Sequence, residues 1–89
     1  MLTFVSAVKA MKDIKGYAAA GRITFTRHAR LRMSQRNVAD RDVFRALSTA
    51  SQCVPADGAS WKVSGKDLDG DDLDMVVAVE NGVIVVTVF

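Results

Sequence analysis

Leu73-Asp74-Met75-Val76-Val77-Ala78-Val79-Glu80-Asn81-Gly82-Val83-Ile84-Val85-Val86-Thr87-Val88-Phe89 reads as two β-strands folded about a tight turn. Both arms are rich in β-branched residues, and Asn-Gly between such arms is the strongest short-range hairpin signal, a two-residue type I′ turn. That turn sets a register in which Glu80 faces Val83, Val79 faces Ile84, Val77 faces Val86, Val76 faces Thr87 and Met75 faces Val88. Side chains alternate across a strand. One face then carries Leu73, Met75, Val77, Val79, Ile84, Val86 and Val88, all apolar and suited to packing on helices. The other carries Asp74, Val76, Ala78, Glu80, Val83, Val85, Thr87 and Phe89, a mixed surface open to a ligand.

Upstream of the hairpin the period is again two. Ser60-Trp61-Lys62-Val63-Ser64 is a strand, and Gln52-Cys53-Val54-Pro55 is a short edge strand, because Pro55 has no amide to donate into a ladder. Asp57-Gly58 and Asp69-Gly70 mark turns. The earlier part of the chain has helical period. Residues 3–20 form an amphipathic helix with Phe4, Val8, Met11, Ala18 and Ala19 near one face, Val5 and Ile14 on its flanks, Thr3 as cap and Gly21 beyond its end. Gly16 inside it is a point of weakness. Arg22–Thr26 alternates as an extended lead-in. Thr26 then caps a helix from Arg27 to Arg36, which Asn37 can stop in left-handed geometry. Asp40 and Asp42 favour the start of a third helix ending near Ser48, with Val43, Ala46 and Leu47 as its apolar stripe and Phe44 beside it. Helices followed by a three- to four-stranded antiparallel sheet make an α+β domain.

The 89 residues suit one such domain, spanning 1–89, with residues 1–21 as its N-terminal helix. About half the residues are apolar, and no apolar run approaches the ~20 needed to span a bilayer. No secretory leader is evident, and the lone Cys53 cannot form an internal disulfide, which suits a reducing cytoplasm. Net charge is +2 but unevenly spread. Residues 1–50 hold ten Lys/Arg against three Asp, a surplus of +7, while residues 51–89 hold two Lys against seven Asp/Glu, a deficit of −5. A basic half favours anionic partners, nucleic acid first. Mutual neutralisation of the halves in a structural domain accounts for the same asymmetry.

The middle helix carries the chemistry. His28, Arg32 and Arg36 recur at i, i+4 and i+8, along one line on the helix surface, while Ala29 and Met33 lie beside it toward the core. An imidazole takes or gives a proton near neutrality, and a guanidinium keeps its charge while its planar fork matches two phosphate oxygens. Such a row suits a phosphodiester, and it equally serves as a polar cap with a solvated arginine face. Thr87 on the mixed sheet face can bond a phosphate oxygen or simply serve as a β-former. Arg30, pointing away from the row, and Trp61, able to stack on a base or to cover the core, are the further nucleic-acid contacts. Asp67-Leu68-Asp69-Gly70-Asp71-Asp72-Leu73-Asp74 fails as an EF-hand, which wants glycine sixth and glutamate twelfth, and reads as an acidic turn. No metal site and no cofactor is expected.

Thr26-x-His28-Ala29-x-x-Arg32-Met33-x-x-Arg36-x-Val38, followed by Asp42-Val43, Leu47 and a hydrophobic strand containing Thr87, resembles domain-of-unknown-function family 4258 over residues 22–89. Asn37 stands where glycine is common and Phe89 where tyrosine is frequent. The family is grouped with RelE-like toxins of the barnase–EndoU–colicin–RelE fold. The resemblance therefore implies a metal-independent ribonuclease acting through His28, Arg32, Arg36 and Thr87. RNA is the implied partner, together with an acidic antitoxin or immunity protein. A non-catalytic RNA- or protein-binding module of the same fold is the alternative.

Overall fold

Local signals set most element boundaries in the computed structural model, which describes residues 6–89. Helix α1 is Ala7–Ala19; Ser6 caps it by accepting from the Lys9 amide at 3.1 Å. Thr3, Phe4 and Val5, expected in this helix, lie outside the described residues. Gly16 does not interrupt it. Its end is a Schellman closure: Gly21 takes φ 73°, and the Arg22 amide reaches back to the Tyr17 carbonyl at 2.9 Å. Helix α2, Arg27–Gln35, closes the same way around Asn37 at φ 55°, the Val38 amide bonding the Met33 carbonyl at 2.9 Å. Helix α3 is Asp40–Ser48. Its cap residue Ala39 has no side-chain acceptor, but the Asp42 carboxylate accepts from the Ala39 amide at 3.0 Å, half of a capping box.

The sheet has five strands, not three or four, and it is mixed rather than antiparallel. The strands are β1 (Ile23–Phe25), β2 (Gln52–Pro55), β3 (Ser60–Lys66), β4 (Asp72–Val79) and β5 (Val83–Val88), in the order β1-β5-β4-β3-β2. The extended lead-in becomes β1 and pairs parallel with β5, Ile23 beside Val83 and Phe25 beside Val85. The remaining pairs are antiparallel. The α+β class stands.

The parallel strand also alters the hairpin register. A two-residue turn needs the Val83 amide to bond back toward Glu80. Instead Val83 donates to the Arg22 carbonyl at 2.9 Å, on the β1 side. The loop becomes Glu80-Asn81-Gly82, with Val79 opposite Val83 and Val77 opposite Val85. Further out, Val76 faces Thr87 and Met75 faces Val88, as the Asn-Gly register has it, so β5 carries a bulge at Val86. The bulge reverses which side chains of the turn-proximal half face the helices. Val83 and Val85 are buried, and Ile84 and Val86, expected in the core, are only half-buried.

Helices α1 and α3 cover one face. Its core joins Ile14, Val43, Ala46 and Leu47 to Val63, Met75, Val77, Val85 and Val88. The buried stripe of α1 is Ala10-Ile14-Ala18, not the Val8 face, and Val8 is 81% exposed. Small side chains at i and i+8 bring the helix backbone close while Ile14 between them fills the gap. Gly65 shows how close the layers lie: a Cβ there would fall onto the Ala46 carbonyl and within 2.9 Å of its Cα. No helix among the described residues is long and apolar enough to cross a membrane.

Candidate functional site

Strand β1 stops beside Val85, which leaves the edge of β5 open from Val86 to Val88. Helix α2 closes it through polar groups. The Thr26 amide donates to the Val85 carbonyl at 3.0 Å, and Thr26 Oγ1 donates to the Val86 carbonyl at 2.8 Å. Carbonyls of consecutive residues normally point to opposite edges of a strand; the bulge at Val86 is what lets both face Thr26. The same hydroxyl accepts from the Ala29 amide at 3.0 Å, so one side chain caps α2 and joins it to the sheet. One turn along, Arg32 Nε donates to the Val88 carbonyl at 3.3 Å.

This seam places the candidate residues. Ala29 and Met33 are buried, and in the row one residue earlier on the helix Arg32 reaches the free edge of β5. His28 is exposed and forms no side-chain hydrogen bond among the described residues. Arg32 is half-buried, with one guanidinium nitrogen on the strand and the others without a hydrogen-bond partner among the described residues. Arg36 is the C-cap residue; its amide bonds the Arg32 carbonyl at 3.0 Å, which carries the row one turn further to an exposed side chain. Thr87, half-buried on the sheet face away from α1 and α3, adjoins the strand position that Arg32 holds. Among the described residues its hydroxyl makes only a long 3.4 Å contact to the Val88 carbonyl. The seam thus brings Arg32 next to Thr87 at the end of β5, and His28 and Arg36 lie one turn before and after Arg32 on α2 with exposed side chains.

The other two candidate contacts lie elsewhere. The Arg30 guanidinium is forked onto the Asp40 carboxylate and lies over the Phe25 ring, 4.0 Å from its centroid. Its charge is partnered, and it braces α2 against α3 and β1. Trp61 sits on β3, paired with Val77 on β4, and lines a cleft of about 230 Å³ with Lys9, Ala10, Asp13, Ala59 and Val79. It packs against the core on the α1 side, with strand β4 between β3 and β5.

Residues 25–89 match the model of the family described as Domain of unknown function (DUF4258). The chain belongs to that family. Among curated proteins, none matches it. The match covers the seam and strands β2 to β5 and leaves out α1 and all of β1 but Phe25. Within the DUF4258 span, Asp42 has a structural task that its place in the motif does not announce: besides capping α3, its carboxylate accepts from the Leu68 amide at 3.2 Å and so holds the acidic turn. In that turn Asp67 Oδ1 accepts from the amides of Asp69 and Asp71, both at 2.9 Å. One carboxylate oxygen from each of these three residues lies within 4.8 Å of the others. Nearby, the hydrogen bond to Asp72 raises the pKa of Lys66. Burial raises that of the Cys53 thiol on β2, which keeps it protonated and poorly nucleophilic.

Residue patterns did not single out Lys62 and Phe89. Lys62 stands opposite Val76, which stands opposite Thr87, so all three share a row on the open face. Lys62 Nζ lies 5.6 Å from the centroid of the Phe89 ring. The hairpin arithmetic does put Phe89 on that face, but the pairing of β3 with β4 leaves no local signature that would add Lys62.

Proposed function

We propose that the α2–β5 seam is the phosphodiester site of a metal-independent ribonuclease of the RelE-like type. The observation that supports the reading is the bond from Arg32 Nε to the Val88 carbonyl, which holds Arg32 at the strand position next to Thr87, with His28 and Arg36 one helical turn to either side of it. One imidazole, two guanidiniums and a hydroxyl attract a phosphate rather than a cation. In the proposed reaction His28 takes the proton of a ribose 2′-hydroxyl, and the oxygen attacks the adjacent phosphorus. The bond to the 5′-oxygen breaks, leaving a 2′,3′-cyclic phosphate and a 5′-hydroxyl whose proton is returned by the imidazolium. Arg36 and the free nitrogens of Arg32 stabilise charge growing on the phosphoryl oxygens, and Thr87 positions the group. An RNA-cleaving toxin of this fold has an acidic antitoxin or immunity protein as its natural protein partner, since the exposed basic row would be what such a partner covers.

Incubating the purified chain with mixed RNA in excess EDTA tests the reading. Cleavage is expected, with cyclic-phosphate ends, and His28→Ala should reduce it at least about 100-fold. No cleavage by the wild type, or cleavage unchanged by the substitution, would sink it. A second reading, a non-catalytic RNA-binding module, is favoured by one observation: among the described residues no side chain hydrogen-bonds the His28 imidazole. In that case His28→Ala preserves RNA binding, and Arg32→Ala with Arg36→Ala weakens it and flattens its salt dependence.

A further inference from the structure

The face of the sheet opposite α1 and α3 has no helix over it among the described residues, and its exposed groups are of two kinds. Phe89 is 46% exposed and Val54 49%, both unusually open for large apolar side chains. Between them stands Lys62, opposite Val54 on one side and Val76 on the other. Among the described residues no carboxylate pairs with its ammonium, unlike those of Lys9 and Lys66. Its nearest defined neighbour is the Phe89 ring.

We infer that Lys62 and Phe89 extend the α2–β5 site across the open sheet face and make single-stranded RNA its ligand, Phe89 stacking on a nucleobase and Lys62 holding a phosphate. The inference rests on the seam being an RNA site, and it adds the part that selects the form of the RNA.

Geometry divides the two tasks. Thr87, Val76 and Lys62 form one cross-strand row, and strands lie about 4.8 Å apart, so this row leads from the seam roughly 10 Å across the sheet to Lys62. A backbone held by the seam arginines meets a second cation at its far end. Phe89 lies on the next row, opposite Asp74, whose carbonyl accepts the Phe89 amide at 3.0 Å. The Asp74 side chain shares the open face and repels a phosphate there. The ring therefore meets a base, while the phosphate goes to the Lys62–Thr87 row. A base stacked on Phe89 with a cation at the ring's other side is the arrangement single-strand binders use. In a duplex both faces of each base are already stacked, so the ring has nothing to bind.

The test is anisotropy of a dye-labelled short single-stranded RNA with the purified chain, repeated with the same sequence as a duplex. Phe89→Leu keeps the apolar bulk and removes the π-face, so single-strand affinity should fall about tenfold while the melting curve is unchanged. Phe89→Trp should retain it. Lys62→Ala should reduce the slope of log K against log salt by roughly 0.7, the loss of one phosphate contact. The duplex should bind more weakly than the single strand. Wild-type affinity in Phe89→Leu and Lys62→Ala, with affinity lost in Arg32→Ala plus Arg36→Ala, would overturn the sheet-face inference and leave the seam intact. Displacement of the RNA by poly-glutamate as readily as by unlabelled RNA would also overturn it, since the face would then be reading acidic protein. Failure of the wild type to bind any RNA would remove the seam reading and this inference together.

Discussion

On its helix side the sheet is closed: Val63, Met75, Val77 and Val85 are fully buried, and Gly65 lies so near Ala46 that no side chain fits between them. On its other side Lys62, Val76, Thr87 and Phe89 stand half-buried or exposed, with no second layer over them among the described residues. A buried face is constrained by volume, and any added atom must displace backbone. An open face has no such constraint, so its residue types can answer to a ligand. The contrast teaches where each kind of effect should appear: substitutions on the closed side should be read in stability, and those on the open side and its edge in binding or rate.

The largest expected effect breaks the closed side. Gly65→Ala should cost on the order of 4 kcal/mol, because its Cβ must push the α3 backbone away, and a thermal melt will show it as a collapsed or absent transition. Next is His28→Ala, whose loss of RNA cleavage by at least about 100-fold should come with an unchanged melt, since the imidazole bonds nothing among the described residues. Thr26→Val tests the boundary between the two regimes. It removes the α2 cap and the bond to the Val86 carbonyl, so a loss of about 2 kcal/mol is expected in denaturant unfolding, together with a fall in activity as α2 loosens from β5. Arg30→Ala should cost less than about 1 kcal/mol and leave RNA affinity unchanged, in contrast to Arg36→Ala; equal losses of affinity would show that the α2 surface acts as a diffuse basic patch. The smallest signal is chemical. Burial holds the Cys53 thiol above its ordinary pKa, so at pH 8 iodoacetamide should modify it more slowly than the same chain unfolded in urea, and equal rates would show that β2 is open to solvent.

Much of this was legible from residue patterns. The boundaries of α2 and α3 follow from Thr26, Asn37 and the Asp40/Asp42 pair, each acting on backbone within a few positions. The His28/Arg32/Arg36 row followed from helical spacing alone. The ion pair and ring contact of Arg30 have no signature in the residue pattern, because Asp40 and Phe25 come together only when α3 and β1 pack beside α2. Trp61 was likewise ambiguous until β3 put it on the helix side.

Asn81-Gly82 illustrates the boundary between the two sources of information. Turn chemistry reports a hairpin, and the alternation of its arms reports strands, because both depend on neighbours in the chain. Which valines enter the core was settled elsewhere. Strand β1, some sixty residues earlier, takes the Val83 amide and moves the turn by one residue. The bulge at Val86 absorbs the shift, keeps Thr87 opposite Val76, and turns a carbonyl to meet Thr26. A hydrogen bond between residues so far apart leaves no periodicity to read, yet it decides which side of β5 is core and where α2 holds its basic row.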